Sequence, residues 1–161
     1  MPQLLIVYHS RTGGTRQMAE AACAGASDET KTILRRAGDA TPEDLLAADG
    51  YLFAAPENLA ALSGEMKEFF DRCYYSVLGR IEGRPYGLMV CAGSDGESAV
   101  KQAARIASGW RLKQVQPPLI VCTHAQTPED ILAEKTIPES DLARCRDLAT
   151  ALAAGISMGV F

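Results

Sequence analysis

The chain has 161 residues, of which 47% are hydrophobic and 22% charged, with a formal net charge of −4. That length fits one domain over residues 1–161, which buries roughly two-thirds of its unfolded surface and needs no staple to hold a core. The mild acidity excludes the basic face that a nucleic-acid partner requires, and no apolar run approaches the ~20 residues of a membrane span.

Met1-Pro2-Gln3 leads directly into Leu4-Leu5-Ile6-Val7-Tyr8, an apolar run without polar interruption, as expected of a parallel strand buried on both faces. No charged and apolar leader precedes it, so a cytoplasmic protein is expected. After the loop 9–15, Met18, Ala21, Ala22 and Gly25 recur at helical spacing. Thr32-Ile33-Leu34 reads as a strand nearer the sheet edge, and Pro42 opens a short helix, where its missing N–H does no harm. Tyr51-Leu52-Phe53-Ala54-Ala55 is a second buried strand, predicted to stop at Pro56. Ser63 is the expected N-cap of a helix whose apolar face carries Leu62, Met66, Phe69, Phe70 and Cys73. The next strand is Tyr86–Cys91. A helix follows, marked by Ala99, Ala103, Ile106, Ala107 and Trp110, with Gly109 placed as its C-cap. Pro117-Pro118 precedes the last strand, Leu119–Cys122, and Leu142, Cys145, Leu148, Ala149 and Leu152 line a final helix.

Strands alternating with helices, without repeats or a linker, imply an α/β three-layer sandwich: a five-stranded parallel sheet covered on both faces, with right-handed crossovers. The first strand must be central to be so apolar, which points to the order 2-1-3-4-5. Ligands of such sheets bind outside the carboxyl ends of the strands, at loops 9–15, 56–62 and 92–98. The cysteines at 23, 73, 91, 122 and 145 are odd in number and show neither C-x-x-C nor metal spacing. They read as buried, reduced thiols in a reducing compartment, with no metal site.

The first loop offers the hydroxyls of Ser10, Thr12 and Thr15, the glycines Gly13 and Gly14, the cation of Arg11 and the amides of a helix N-terminus. These parts suit a phosphate. The loop lacks both G-x-G-x-x-G and G-x-x-x-x-G-K-[ST], so neither a dinucleotide pyrophosphate nor a nucleotide's terminal phosphates are indicated. On composition alone it is equally an ordinary polar turn capped by Thr15. Its place after the first strand, beside a topological switch point, favours the anion site.

Ser10-x-Thr12-Gly13-x-Thr15 resembles the FMN-phosphate loop of the flavodoxin superfamily. Pro56-Glu57-Asn58-Leu59, followed by Ser63-Gly64, Lys67, Phe69-Phe70 and Asp71-Arg72, resembles the loop and helix of the flavodoxin-like NAD(P)H-dependent FMN and quinone reductases. Ala92-Gly93-Ser94-Asp95-Gly96 is similar to the small-residue loop beside the flavin's pyrimidine end in the same families. The resemblance implies a flavodoxin-like fold and FMN as cofactor. It puts Ser10, Thr12, Gly13, Gly14 and Thr15 on the phosphate, and Pro56, Glu57, Asn58, Leu59, Ala92, Gly93, Ser94 and Gly96 along the ring; Arg11 departs from the neutral residue common there and either adds charge against the phosphate or is solvated. It also implies NADH or NADPH as electron donor, a quinone or free flavin as acceptor, and a homo-oligomer. A non-enzymatic electron carrier is the alternative. Leu59 and Ala60 stand where many relatives have an aromatic or an arginine, which tilts the reading away from a low-potential carrier. Because the flavin carries the chemistry, no catalytic side chain is expected. His9 and His124 read as loop residues rather than an acid–base pair, and Asp71 and Arg72 as a pair, locally or across a subunit contact. Trp110, Tyr74 and Tyr75 read as packing or interface residues. A response-regulator receiver shares the architecture but needs an aspartate where strand three ends in Ala54-Ala55-Pro56.

Overall fold

Three uninterrupted apolar strands set the frame in the computed structural model, which describes residues 1–161. In chain order the elements are β1 (Gln3–Tyr8), α1 (Gly14–Ser27), β2 (Lys31–Arg36), α2 (Pro42–Ala47), β3 (Gly50–Asn58), β4 (Ala61–Leu62), α3 (Gly64–Val77), β5 (Pro85–Ala92), α4 (Glu97–Gly109), β6 (Lys113–Gln114), β7 (Leu119–Cys122), α5 (Pro128–Leu132) and α6 (Glu139–Met158). The parallel ladder runs β2-β1-β3-β5, and both β6 and β7 pair with the free edge of β5. β6 takes Pro85 and Tyr86, while β7 takes Met89 through Ala92. The two are one edge strand interrupted at Pro117-Pro118, neither of which can donate to a ladder. The expected order 2-1-3-4-5 is therefore present, with its last position divided.

Strand side chains alternate between two cores. Leu5, Val7, Tyr51, Phe53, Tyr86 and Leu88 point to the side of α3 and α4, where Phe69, Phe70 and Trp110 meet them. Leu4, Ile6, Leu52, Ala54 and Met89 point to the side of α1 and α6, against Met18, Ala22, Ala149 and Leu152. Burying a side chain of this size contributes about 1.5–3 kcal/mol. α1 and α6 lie so close that a Cβ on Gly25 would stand 2.6 Å from the carbonyl oxygen of Arg146. No helix is long and apolar enough to cross a membrane.

Several local expectations are corrected. β3 does not stop at Pro56 but continues to Asn58, because the proline only removes one donor and its carbonyl accepts the N–H of Ser63 at 3.2 Å. Gly109 is the last residue of α4 rather than its C-cap, which is Trp110. A side chain at 109 would run into the Tyr74 hydroxyl, so the glycine answers to packing. Tyr74 stacks on Trp110 at 5.6 Å, and the indole N–H donates to the Tyr74 carbonyl at 3.0 Å. Asp71 and Arg72 do not pair with each other. Lys67 holds Asp71 at 2.6 Å, while Arg72 bonds Glu68 and donates to the carbonyls of Ala37 and Ala40. The cysteines are unbridged; Cys73, Cys91 and Cys145 are buried, but Cys23 and Cys122 are partly exposed, Cys122 because it lies on the sheet edge.

Candidate functional site

β1 delivers the chain to the carboxyl edge of the sheet, where it must turn sharply into α1. Gly13 makes that turn with a φ of +92°, in the left-handed region where a side chain is strained. Its N–H donates to Ser10 Oγ at 3.2 Å. No side chain caps α1, and the amides of Gly14, Thr15 and Arg16 have no hydrogen-bond partner. Thr15 is the second residue of the helix and buried, so it is not the cap of an ordinary polar turn. Three free amides at the positive end of a helix dipole are able to hold an anion.

A cavity of about 90 Å³ opens beside Gly14 and Thr15. Ser10, Arg11, Thr12, Gly14 and Thr15 line it together with Pro56, Asn58 and Cys91 and with Ile131 and Leu132 of α5. A Cβ on Gly14 would lie 2.9 Å from Cys91 Sγ, and one on Gly13 would meet the Glu134 carboxylate. Hydroxyls, free amides and glycines in a cavity of this size fit a phosphate monoester. Burial pushes the Cys91 thiol up to about 11, so it stays protonated and is no nucleophile at neutral pH.

The second loop is a two-residue hairpin. Asn58 pairs with Ala61 and Glu57 with Leu62, and both residues of the turn, Leu59 and Ala60, have positive φ (52° and 59°). Such turns usually take Asn-Gly, and a residue with a side chain costs about 1–2 kcal/mol in this conformation. Strain of this kind concentrates at functional sites. Leu59 stands fully exposed at the tip, outside the cavity. Glu57 also points away from the cavity: its carboxylate accepts the N–H groups of Gly96 at 3.0 Å and Ala99 at 3.2 Å, capping α4. Ala92, Gly93, Ser94 and Gly96 form the adjoining edge. There the carbonyls of Ala92 and Gly93 accept the N–H groups of Thr123 and His124. The structure thus joins the 9–15 loop with Pro56 and Asn58, and sets Glu57, Leu59 and the 92–96 loop beside that cavity rather than in it. The segment 125–137, which carries α5 and bonds the 9–15 loop through Lys135 N and the Thr12 carbonyl, is not among the loops expected from the sequence.

His9 ties the first loop to α3. Its Nδ1 is 2.7 Å from Ser63 Oγ and its Nε2 is 3.3 Å from Glu65 Oε2. Ser63 stands at the N-cap position as expected, but its hydroxyl bonds His9 rather than the helix. The serine–histidine–carboxylate set is not hydrolytic, because Ser63 has no accessible surface. His124 is separated from His9 by β3 and β5. Burial lowers the His9 pKa, opposed by Glu65 and reinforced by Arg36 and Arg11. The unfolded chain therefore binds this proton more readily than the fold. The stability from neutral His9 is complete above its ordinary value of 6.5 and is lost as pH falls through the lowered folded value. Thermal melts between pH 7.5 and 5 are expected to fall more steeply for the parent chain than for His9→Gln. Parallel curves would show that His9 carries none of the dependence.

A family model described as NADPH-dependent FMN reductase matches residues 25–127, taking in the 56–62 and 92–96 loops but beginning after the 9–15 loop. A protein named flavodoxin from Aquifex aeolicus (strain VF5) is 40% identical over 94 residues, covering 57% of this chain and 49% of that protein. An NAD(P)H dehydrogenase (quinone) from Acidithiobacillus ferrooxidans (strain ATCC 53993 / BNL-5-31) is 31% identical over 94 residues, covering 45% and 47%. The chain spans about half the length of these relatives. A flavodoxin structure from the domain Archaea superposes with a TM-score of 0.80 at 19% identity, covering 96% of this chain and 98% of that one. A WrbA-like flavodoxin from Agrobacterium tumefaciens superposes with a TM-score of 0.76 at 19% identity, covering 99% of each. These likenesses establish a flavodoxin-like fold.

Proposed function

Given that the chain belongs to the NADPH-dependent FMN reductase family, we propose that it binds FMN and passes electrons through it from NADH or NADPH to a quinone or a free flavin. The observation that carries this reading is the uncapped start of α1, with three unpartnered amides, of which those of Gly14 and Thr15 belong to residues lining a cavity of phosphate size. The hydroxyls of Ser10, Thr12 and Thr15 and the amides of residues 14–16 hold the phosphate. Gly13 and Gly14 leave room for it, and Arg11 adds charge at the rim. Pro56 and Asn58 close the adjoining wall. The Leu59 hairpin and the Ala92, Gly93, Ser94 and Gly96 edge receive the ring, and Glu57 fixes those two edges to each other through α4. FMN supplies the hydride and electron chemistry when bound; the side chains bind and orient it, and none acts as acid, base or nucleophile.

A non-enzymatic electron carrier is the second reading, favoured by the 40% identity to a protein named flavodoxin. The test is an absorbance spectrum of the protein desalted after addition of FMN, followed by NADH and NADPH oxidation with and without a quinone. Retained flavin with quinone-dependent turnover is expected. Retained flavin without turnover selects the carrier, and loss of flavin on desalting removes both readings.

A further inference from the structure

The loop that grips the phosphate contains no lysine, and its own cation, Arg11, is exposed and makes no hydrogen bond. A second cation reaches the loop from far along the chain. Between α5 and α6 the backbone is pinned to the start of α1 by three bonds. Lys135 N donates to the Thr12 carbonyl at 2.8 Å, Gln17 Nε2 donates to the Lys135 carbonyl at 2.6 Å, and Ile137 N donates to Gln17 Oε1 at 2.9 Å. Ile137 is buried in the core next to these bonds. Lys135 is thus fixed on both sides, and its ammonium lies 3.3 Å from Thr12 Oγ1. Its other partners are the carbonyls of Ile131 at 2.8 Å and Ala133 at 2.6 Å, so no carboxylate neutralises it. The nearby Glu134 carboxylate is taken up by Arg16 at 3.4 Å.

We propose that Lys135 is the cation of the phosphate site and sets its preference for FMN over riboflavin. This rests on the FMN reading above. The Thr12 hydroxyl is one of the groups that holds the phosphate, so an anion bonded to it comes within reach of the Lys135 ammonium. A charged donor forms the stronger class of hydrogen bond to such an oxygen. Riboflavin lacks the phosphate and gains nothing from the same group.

The test is fluorescence-quenching titration of the full chain, and of Lys135→Gln and Lys135→Arg, with FMN and with riboflavin. Gln keeps N–H donors for the carbonyls of Ile131 and Ala133 but removes the charge. Lys135→Gln is expected to raise the FMN Kd about tenfold or more and leave the riboflavin Kd unchanged, while Lys135→Arg stays within about threefold of the parent for both. Thermal melts establish that each variant is folded. An unchanged FMN Kd, or an equal loss for both flavins, overturns the role of Lys135 while the FMN reading stands. A parent chain that binds no FMN overturns the reading itself and this assignment with it.

Discussion

Thr12→Asp is expected to raise the FMN Kd at least ~100-fold while leaving the protein as stable as the parent, or slightly more so. The side chain at position 12 lies at the mouth of the free-amide site and within reach of Lys135. A carboxylate there competes for the cations and dipole that the proposed phosphate site offers. Two unit charges ~4 Å apart at an effective dielectric of ~20 repel by about 4 kcal/mol. A phosphate dianion beside the introduced carboxylate therefore loses on the order of 3 kcal/mol even after partial relaxation, or about two decades in Kd. The same carboxylate is favourable to the fold, since an acidic group near a helix N-terminus contributes about 0.3–1 kcal/mol. Calorimetric titration with FMN and riboflavin, beside a thermal melt, checks both signs. Riboflavin affinity should be nearly untouched. A variant that loses FMN and riboflavin together, or melts well below the parent, would falsify the placement of the phosphate at this helix end.

The frame was legible in the sequence because Leu4–Tyr8, Tyr51–Ala55 and Tyr86–Cys91 carry no charged residue, and only central strands of a doubly covered sheet can be so apolar. The free donors of the 9–15 loop were legible because they are contiguous in the chain. What escaped depends on distant partners. Ser63 stands at the predicted cap position, yet His9, 54 positions away, takes its hydroxyl. Glu57 belongs to the ring edge that the resemblance implies, but its carboxylate turns to the amides of Gly96 and Ala99. α5 did carry a signal: Thr127-Pro128-Glu129-Asp130 repeats Thr41-Pro42-Glu43-Asp44, whose proline marked the start of α2. In both, the threonine hydroxyl accepts the N–H three residues on. That signal announces a helix start but not its destination. The meeting of Lys135 with Thr12 spans 123 positions and is invisible to any local pattern.

Phe53→Ala is expected to cost about 3–5 kcal/mol of stability, and the reason lies in where the ring sits. Phe53 is 3% exposed at the middle of β3, between β1 and β5. Its ring is 5.2 Å from Phe70, 5.8 Å from Tyr51, 6.3 Å from both Phe69 and Tyr86, and 6.5 Å from Trp110. A central strand held on both edges cannot move in to fill the void, so the cavity stays open and the cost falls at the upper part of the range. For a domain of this size that corresponds to roughly 10 °C or more in Tm. Tyr75→Ala is the control: its side chain is 82% exposed, and the change should stay within about 0.5 kcal/mol. Phe53 faces α3 and α4, whereas α1, which presents the free amides, packs on the opposite face with α6. Below its lowered melting point Phe53→Ala should therefore bind FMN with nearly the parent Kd. Urea denaturation and FMN titration on the same preparation separate the two effects. A stability loss under about 1 kcal/mol would mean that the aromatic cluster closes over the gap, and a large loss of FMN affinity in the folded variant would mean that the two faces of the sheet are coupled.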